Sequence, residues 1–441
     1  MSLNYLARGL AGQQPLRGEV RVPGDKSISH RSIMFGALAD GVTEVSGFLN
    51  GEDCLSTQHA FEAMGVRVDV HTPTSLSVHG VGIDGLKAPK TELYLGNSGT
   101  SMRLMSGLLA GQTFDSVLTG DASLSKRPMR RVTDPLASMG AQIVTTEAGT
   151  APLEISASNG LQGIEYDSPV ASAQVKSALL LAGLYAEGET VVREPGLSRD
   201  HTERMLQGFG YQVDSKPQYA ALSGGGRLTA CKIDVPADIS SAAFVLVAAS
   251  ITEGSDVLIQ NVGMNPTRTG VIDILKLMGA DIQLLNQREQ GGEPVADLHV
   301  KYAGLKGIHV PEHLVPLAID EFPVLFVAAS FAEGDTLVTG AEELRVKESD
   351  RIQVMADGLQ ALGIKAEATP DGMAIRGLSQ QAPAQEVAIN AQHDHRIAMS
   401  FAVASLMSSC DIEIQGCETV NTSFPGFFQM MQRLGMQTEQ H

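Results

Sequence analysis

Two kinds of hydrophobic pattern alternate along the whole chain: apolar stretches at helical spacing, and short runs in which apolar and polar residues alternate. Most of the first helical stretches end near a glycine, and these glycines are Gly41, Gly111, Gly188, Gly254 and Gly334; a sixth copy, ending at Cys410, lacks it. A second glycine follows each stretch, just before an alternating run, at Gly65, Gly140, Gly210, Gly279, Gly363 and Gly435. Because glycine readily adopts the left-handed conformation found after many helices, both sets predict helix ends. The pattern predicts six units of helix, strand, helix and strand.

The six units favour two globular domains of three units each, in the α/β class. Units of about 73 residues exceed the roughly 20–50 residues of common solenoid repeats. Between the third and fourth units, Pro236-Ala237-Asp238-Ile239 resembles Pro23-Gly24-Asp25-Lys26 near the start. A hinge made of these two chain crossings would place the first strand in the second domain. We therefore expect one domain at residues 20–238 and another formed by residues 1–19 and 239–441.

Composition is that of a folded protein with a large core. Of 441 residues, 43% are hydrophobic and 19% charged, which argues against intrinsic disorder. The most apolar stretches, Ser241 to Ile251 and Ala178 to Ala186, are about half the roughly 18–20 residues that span a bilayer, and we expect buried helices there. The segment from Met1 to Val20 has no signal-peptide pattern, and the four cysteines are scattered, so we expect a cytoplasmic protein without disulfides or zinc.

Charge argues at first against phosphate-bearing partners. The 50 acidic residues outnumber the 32 basic ones, for a formal net charge of −18, which disfavours nucleic acid. The cations are nevertheless clustered in short turns rich in Gly and Ser, where the first helices of the repeats are predicted to begin. These turns are Gly24–Arg31, Gly96–Arg103, Ser123–Arg131, Ser172–Ser177 and Ser198–Arg204. Helix N-termini with added cations are typical anion sites, although N-capping, by Ser27 for instance, and solvated charge runs explain the same residues.

The second half adds carboxylates near cations. Asp320 and Glu321 precede an apolar helix, where Asp320 is either a buried general base or an N-cap. Lys347 and Arg351 would share one face if their segment were helical, unless that face is simply solvated. His393 and His395 lack the further ligands of a metal site, and no Walker A, GxSxG or GxGxxG motif is present. The sequence thus favours direct transfer between anionic small molecules, without a cofactor or metal.

Five strings in order resemble the 5-enolpyruvylshikimate-3-phosphate synthase family. They are Gly24–Arg31, Gly96–Thr100, Arg345–Arg351, Asp394–Arg396 and Ser423–Pro425. The resemblance implies two domains, each of three βαβαββ repeats (an inside-out α/β barrel), with the active site in the interdomain cleft. It implies transfer of the enolpyruvyl group of phosphoenolpyruvate to the 5-hydroxyl of shikimate 3-phosphate by addition and elimination, with release of phosphate.

The same resemblance implies roles for residues at matching positions. Shikimate 3-phosphate would be held by Lys26, Ser27, Arg31, Ser172, Ala173, Gln174, Arg199, Asp320 and Lys347. Phosphoenolpyruvate would be held by Lys26, Gly99, Arg127, Gln174, Arg351 and Arg396, with Asn97 and Thr100 in the same substrate-binding motif as Gly99. Asp320 would be the base on the 5-hydroxyl and Glu348 would exchange the proton at the methylene carbon, with Lys26 as a third catalytic group.

One departure and two alternatives qualify this prediction. Thr422 stands where many members of the family have Lys, and with Arg103-Leu104-Met105 and Arg199-Asp200-His201 it resembles the second class of the family. The alternatives are UDP-N-acetylglucosamine enolpyruvyl transferase, whose typical loop Cys has no counterpart in Lys126–Arg131, and a non-catalytic protein that binds anions or RNA ends. We expect a monomer that binds neither nucleic acid nor membranes and whose domains close on anionic substrates.

Overall fold

The repeated pattern of the sequence is realised as pairs of helices. The computed structural model describes residues 3–9, 14–378 and 387–441. Of the segment from Met1 to Val20, in which no signal-peptide pattern is expected, residues 1–2 and 10–13 lie outside these ranges. The helices are α1 Lys26–Leu38, α2 Glu52–Ala63, α3 Gly99–Ala110, α4 Arg130–Ser138, α5 Ala173–Gly183, α6 His201–Gly208, α7 Ile239–Ile251, α8 Gly270–Leu277, α9 Phe322–Ser330, α10 Arg351–Ala361, α11 His395–Ser405 and α12 Phe427–Leu434. Short 3-10 turns cover Leu124–Lys126, Glu312–Leu314, Glu342–Val346 and Cys417–Thr422.

Strands separate these helices throughout the described chain. They are β1 Tyr5–Ala7, β2 Arg17–Val20, β3 Ala39–Ser46, β4 Arg67–Thr72, β5 Ser75–Val81, β6 Leu93–Tyr94, β7 Ser116–Thr119, β8 Ile143–Val144, β9 Leu153–Ile155, β10 Leu161–Gln162, β11 Glu165–Asp167, β12 Ala186–Glu187, β13 Glu189–Arg193, β14 Asp214–Lys216, β15 Tyr219–Ser223, β16 Leu228–Thr229, β17 Lys232–Asp234, β18 Asp256–Gly263, β19 Asp281–Gln290, β20 Glu293–Lys301, β21 Asp335–Val338, β22 Lys365–Thr369, β23 Gly372–Arg376, β24 Val387–Asn390, β25 Ile412–Gln415 and β26 Thr438–Gln440.

The chain divides into two compact units. The first unit comprises Gly24–Val235 and Gln290–Glu293, and the second comprises Met1–Pro23, Pro236–Glu289 and Pro294–His441. Each unit therefore contains six of the helices, arranged as three successive pairs.

One sheet topology recurs in both units. In the second repeat the strand order is β6-β7-β9-β8, with β6 parallel to β7 and the other neighbours antiparallel. The third repeat has β11-β13-β15-β14 and the fourth β2-β18-β20-β19 in the same arrangement. In the second and third repeats the parallel pair is joined through the first helix and a hairpin follows the second helix, as expected for a mixed sheet whose parallel pair needs a helical crossover.

Several strands come from distant parts of the sequence. Both β16 and β17 pair with β3 in parallel, with Ile233 of β17 opposite Val45, and β2 pairs with β18 in parallel, with Glu19 opposite Leu258. In the last repeat β1 lies between β25 and β26, so the start of the chain completes a sheet formed by its end. These pairings tie the first described residues into the second unit.

The first helices of the repeats form the interior and the sheets lie outside them. In the second unit α7, α9 and α11 contact one another, and every residue of α7 and α9 is buried. In the first unit α3 packs on α5, while α1 packs on β3 and β5. Helices that are apolar all round belong in an interior. The predicted α/β class is confirmed, and α7 confirms the buried helix predicted for Ser241 to Ile251, whereas α5 ends at Gly183, short of Ala186.

The second set of glycines ends helices as predicted. After α10, the N–H of Gly363 donates to the oxygen of Gln360 at 2.9 Å and the N–H of Ile364 donates to that of Leu359 at 2.9 Å. This pair of bonds, with φ of +82° at Gly363, is a Schellman cap, and all six glycines of the set have positive φ. The first set is less uniform, because Gly111 has a φ of −88°, Gly41 lies inside β3 and Gly188 lies between β12 and β13. For these three the predicted left-handed helix end is wrong.

Within the described ranges, none of the helices has the length and apolar character needed to cross a membrane.

Candidate active site

Three helix N-termini of the first unit carry the predicted anion-binding turns. The carboxylate of Asp25 accepts from the N–H of Ile28 at 2.9 Å and caps α1, so Ser27 is not the cap as one interpretation expected. Ser98 caps α3 through the N–H of Ser101 at 3.1 Å, and Ser172 caps α5 through the N–H of Val175 at 3.4 Å. Since helix N-termini attract negative charge, each turn offers a partial positive charge beside its cations.

Arg31 is buried among neutral acceptors. Its Nε donates to Thr202 Oγ1 at 2.8 Å, its Nη1 to the oxygen of Ser27 at 3.0 Å and its Nη2 to Ser177 Oγ at 3.0 Å. Burial lowers the pKa of Arg31 to about 10, against the opposing charges of Glu203 and Asp25, and the charge of Arg199 acts in the same direction as burial. The hydrogen bonds of Arg31 thus go to neutral oxygens and the nearby carboxylates do not fully offset its burial, so an incoming anion would stabilise this cation. Arg199 lies in the loop before α6.

Lys26, the first residue of α1, forms an ion pair with Asp53 of α2. Behind it, His30 Nδ1 lies 2.8 Å from Thr57 Oγ1, which is 2.6 Å from Ser101 Oγ on α3. Burial, followed by the charge of Lys26, keeps the pKa of His30 well below its usual value. A neutral histidine therefore links α1, α2 and α3 behind the cations.

The start of α3 contacts the Arg127 segment. Arg127 Nη2 donates to the side-chain oxygen of Asn97, whose nitrogen donates to Asp121 at 2.6 Å. Gly99 is the first residue of α3, and a Cβ there would lie 3.0 Å from Arg103 Nη1 and 3.1 Å from Arg127 Nη1. The absence of a side chain at Gly99 thus leaves room for two guanidinium groups.

The starts of α3 and α5 are joined by a chain of hydrogen bonds. Gln174 Nε2 donates to Thr100 Oγ1 at 3.2 Å, and Gln174 Oε1 accepts from Arg103 Nη1 at 2.6 Å. Ala173 is the first residue of α5, next to the cap Ser172. The residues predicted in this unit therefore cluster at the three helix starts. Arg103, quoted in a motif but not predicted as a site residue, belongs with them.

In the second unit Asp320 lies between two cations. Lys347 Nζ and Arg351 Nη1 are each 3.4 Å from Asp320 Oδ1, and Lys347 Nζ is also 2.8 Å from Glu343 Oε1. Glu321, not Asp320, occupies the N-cap position of α9, and its side chain makes no capping bond. The capping alternative for Asp320 is therefore wrong, and the carboxylate faces charged partners.

Arg351 is the centre of a buried charge cluster. Its Nε donates to Asp394 Oδ2 at 2.8 Å and its Nη2 to Glu348 Oε2 at 2.6 Å. Burial raises the pKa of Asp394 and is the largest single effect, but the charges of Arg351 and His395 and the hydrogen bond from Arg351 together bring that pKa below its usual value. Arg351 opens α10 whereas Lys347 follows a 3-10 turn, so these two residues do not share a helical face as expected. They meet instead through Asp320.

Arg396, on the first turn of α11, supports the same region. Its Nη1 donates to the backbone oxygen of Asp320 at 2.7 Å and lies 3.7 Å from Glu321 Oε1. Glu321 also accepts from Ser240, which in turn accepts from Arg268 Nη2 at 2.6 Å. Asp394, Glu321 and Arg268 were not predicted as site residues. Asp394 stands beside Arg396 in a quoted motif, whereas Arg268 lies in none.

The two groups of residues offer complementary chemistry. The first unit presents cations and amide or hydroxyl groups at helix starts, suited to phosphate and carboxylate oxygens. The second unit presents carboxylates beside Lys347 and Arg351, suited to proton transfer. Among the described residues, no group of three or more His, Cys, Asp or Glu side chains could hold a metal ion.

Thr422, which stands where many members of the family have Lys, is buried and donates to the backbone oxygen of Thr419 at 2.7 Å.

The architecture is that of the enolpyruvyl transferases. The enolpyruvyl transferase NikO from Streptomyces tendae superposes with a TM-score of 0.80 over 100% of this chain and 99% of that one, at 16% identity. That likeness concerns the fold alone. An EPSP synthase structure from Acinetobacter baumannii superposes with a TM-score of 0.89 at 57% identity, covering 100% of both chains.

Sequence comparison defines the family. The model of the EPSP synthase (3-phosphoshikimate 1-carboxyvinyltransferase) family matches residues 10–431. Proteins named 3-phosphoshikimate 1-carboxyvinyltransferase from Methylococcus capsulatus and Alkalilimnicola ehrlichii are each 63% identical, over 96% and 94% of this chain and 96% and 92% of theirs. The chain belongs to the EPSP synthase family, and the resemblance drawn from its motifs is confirmed.

Proposed function

We propose that this protein transfers the enolpyruvyl group of phosphoenolpyruvate to the 5-hydroxyl of shikimate 3-phosphate and releases phosphate. The observation that carries the proposal is the pairing of Asp320 with Lys347 and Arg351, each at 3.4 Å, in a chain of this family that also has cations at the helix starts of its first unit. The cations favour the ionised form of the carboxylate, which is the form that accepts a proton. We also propose that the protein is a monomer located in the cytoplasm.

Shikimate 3-phosphate carries one phosphate, one carboxylate and hydroxyl groups. In the first unit, the phosphate and carboxylate would meet Lys26, Arg31 and Arg199, with Ser27, Ser172, Ala173 and Gln174 at helix starts as hydrogen-bonding groups. In the second unit, Lys347 and Asp320 would contact the hydroxyl groups. The hydrogen bonds of Arg31 to neutral hydroxyl oxygens support this assignment, because a cation that donates to no carboxylate gains more from a bound anion.

Phosphoenolpyruvate has a phosphate and a carboxylate on a two-carbon enol. Lys26, Arg127 and Gln174 of the first unit and Arg351 and Arg396 of the second would bind these groups. Because Gly99 has no side chain, a substrate oxygen could approach the start of α3 beside the Arg103 and Arg127 guanidinium groups, with Asn97 and Thr100 close by in the sequence.

The reaction then needs protons to move in opposite directions on the two substrates. Asp320 would take the proton of the 5-hydroxyl while the oxygen of that hydroxyl forms a bond to C2 of phosphoenolpyruvate, and Glu348 would deliver a proton to C3. In the elimination, C3 returns a proton to Glu348, the double bond is restored and phosphate leaves with the electron pair of the broken C2–O bond, after which Asp320 releases its proton. Arg351, which donates to Glu348 at 2.6 Å, would hold that carboxylate in position.

The test is phosphate release from phosphoenolpyruvate with three acceptor conditions: shikimate 3-phosphate, UDP-N-acetylglucosamine and no acceptor. We expect release with shikimate 3-phosphate alone. Release with the UDP-sugar instead would support the related transferase, and no release under any condition would contradict an enzymatic function. The variant Asp357→Asn, on the exposed face of α10, is the control for preparation effects.

A further inference from the structure

A buried cluster of three charges lies directly behind the start of α5. Lys176 Nζ is 2.9 Å from Glu194 Oε2 and 2.8 Å from Glu203 Oε1, and the three side chains are at most 5% exposed. Buried ion pairs seldom add net stability over apolar residues of the same volume. The stability of the core therefore does not by itself explain why three charged side chains are buried here.

Glu194 has two further contacts that suggest a role for this cluster in positioning the site residues. Its Oε1 accepts from the backbone N–H of Ser172 at 2.7 Å, and its Oε2 accepts from Ser198 Oγ at 2.6 Å. Ser172 is the N-cap of α5, and Ser198 directly precedes Arg199. One carboxylate thus fastens both of the segments that carry Ser172 and Arg199.

The backbone of Glu194 is hydrogen-bonded into a sheet. Glu194 directly follows β13, and its backbone N–H donates to the oxygen of Gln218 at 2.9 Å, which continues the pairing of β13 with β15. Lys176, within α5, holds the carboxylate from the other side. Glu194 is therefore fixed by a sheet, a helix and a buried cation at once.

Glu203 offers a natural comparison within the same cluster. It pairs with Lys176 as Glu194 does, but its Oε2 has no hydrogen-bond partner among the described residues. Both glutamates share the buried cation, and only Glu194 also contacts Ser172 and Ser198.

We infer that Glu194 is a positioning residue for shikimate 3-phosphate, because it holds the N-cap of α5 and the loop of Arg199 in the arrangement that receives this substrate. The inference rests on the proposed function and adds to it a residue that contacts no substrate. Ser172 and Arg199 are both assigned to shikimate 3-phosphate, so the effect should fall on this substrate. Gln174, which is assigned to both substrates, is held by Thr100 and Arg103 of α3 and not by Glu194, so phosphoenolpyruvate should be affected little.

The test compares Glu194→Gln with Glu203→Gln in the full-length protein. Glutamine at 194 presents an NH2 group toward Lys176, Ser172 or Ser198, so at least one of the present contacts is lost. We expect shikimate 3-phosphate to bind about tenfold more weakly by titration calorimetry. The KM for phosphoenolpyruvate should stay within about twofold of wild type. Loss of a hydrogen bond between the protein and phosphoenolpyruvate would change this KM by more than that. Glu203→Gln removes the same charge beside Lys176 and should leave the affinity for shikimate 3-phosphate within about twofold.

Three results would overturn the inference. The first is wild-type affinity for shikimate 3-phosphate in Glu194→Gln, and the second is equal weakening in Glu203→Gln, which would assign the effect to the buried charge. If Glu194→Gln does not fold, Ser198→Ala decides, since it removes only one bond: we expect about threefold weaker binding, and unchanged binding is the third contradicting result. Failure of the proposed function looks different, because wild-type protein would then neither bind shikimate 3-phosphate nor release phosphate.

Discussion

Removal of the Arg351 side chain should destabilise the second unit strongly. The side chain is 1% exposed and contacts three carboxylates: Asp394 at 2.8 Å, Glu348 at 2.6 Å and Asp320 at 3.4 Å. Asp394 is 0% exposed, so water cannot replace the guanidinium. Breaking a buried ion pair from one side typically costs about 3–5 kcal/mol, and we expect Arg351→Met to lower the free energy of unfolding by about that amount at pH 7.

The pH dependence of that loss tests its cause. The lowered pKa of Asp394 means that its carboxylate stabilises the folded protein above the unfolded value of about 3.9, and that this contribution is lost as pH falls through the lower folded value. Without Arg351, burial dominates and raises the pKa of Asp394 above its unfolded value. The variant is then penalised for an ionised Asp394 at pH 7, and the penalty shrinks as pH falls toward about 4.

Urea unfolding followed by circular dichroism at pH 7 and at about pH 4.5 measures both effects. Arg67→Met is the matched control, because Arg67 pairs with Asp69 at 2.8 Å on the surface and should change stability little at either pH. An equal loss in Arg351→Met at both pH values would refute the electrostatic explanation. No loss at pH 7 would refute the whole account of the cluster.

Three further variants and one control test the site and the fold. Asp320→Asn should lower kcat at least about 100-fold because the base is lost, with a smaller loss of stability than Arg351→Met because Asp394 and Glu348 still pair with Arg351, and near wild-type turnover would contradict this role. Gly99→Ala should raise the KM for phosphoenolpyruvate about tenfold, since its Cβ would lie 3.0 Å from Arg103 Nη1 and 3.1 Å from Arg127 Nη1; an unchanged KM would mean that both groups move aside freely. Gly363→Ala should cost about 1–2 kcal/mol of stability from its φ of +82° alone, as no atom lies within 4 Å of the new Cβ. Gly304→Ala, equally open but without positive φ, should cost less, and equal losses would contradict the strain argument.

The repeats could be predicted because their helix ends are a local property. A Schellman cap needs a left-handed residue directly after the helix, and Gly363 supplies it through neighbours within five positions. The first set of glycines was less informative because α1 passes directly into β3, where Ala39 is already extended. Gly41 then lies within the strand and ends no helix.

The site could be predicted only where its residues stand in one motif. Asp320 is visible in sequence because it precedes an apolar helix, and Lys347 and Arg351 because they stand four positions apart in a motif of the family, although their meeting at Asp320 is a tertiary contact. The cluster of Lys176, Glu194 and Glu203 could not be predicted in this way. Lys176 and Glu203 lie in two of the predicted turns, but the three residues come from α5, the end of β13 and α6, and no local pattern relates them.

Phosphorus NMR of one reaction mixture tests the central claim most directly. Wild-type protein is incubated with equal amounts of phosphoenolpyruvate and shikimate 3-phosphate, and the phosphorus signals are followed together. The account predicts that the phosphoenolpyruvate signal is replaced by inorganic phosphate while a sugar-type phosphate ester remains, in a product heavier than shikimate 3-phosphate by the enolpyruvyl group. Inorganic phosphate formed without shikimate 3-phosphate, or an unchanged spectrum with both substrates present, would contradict it.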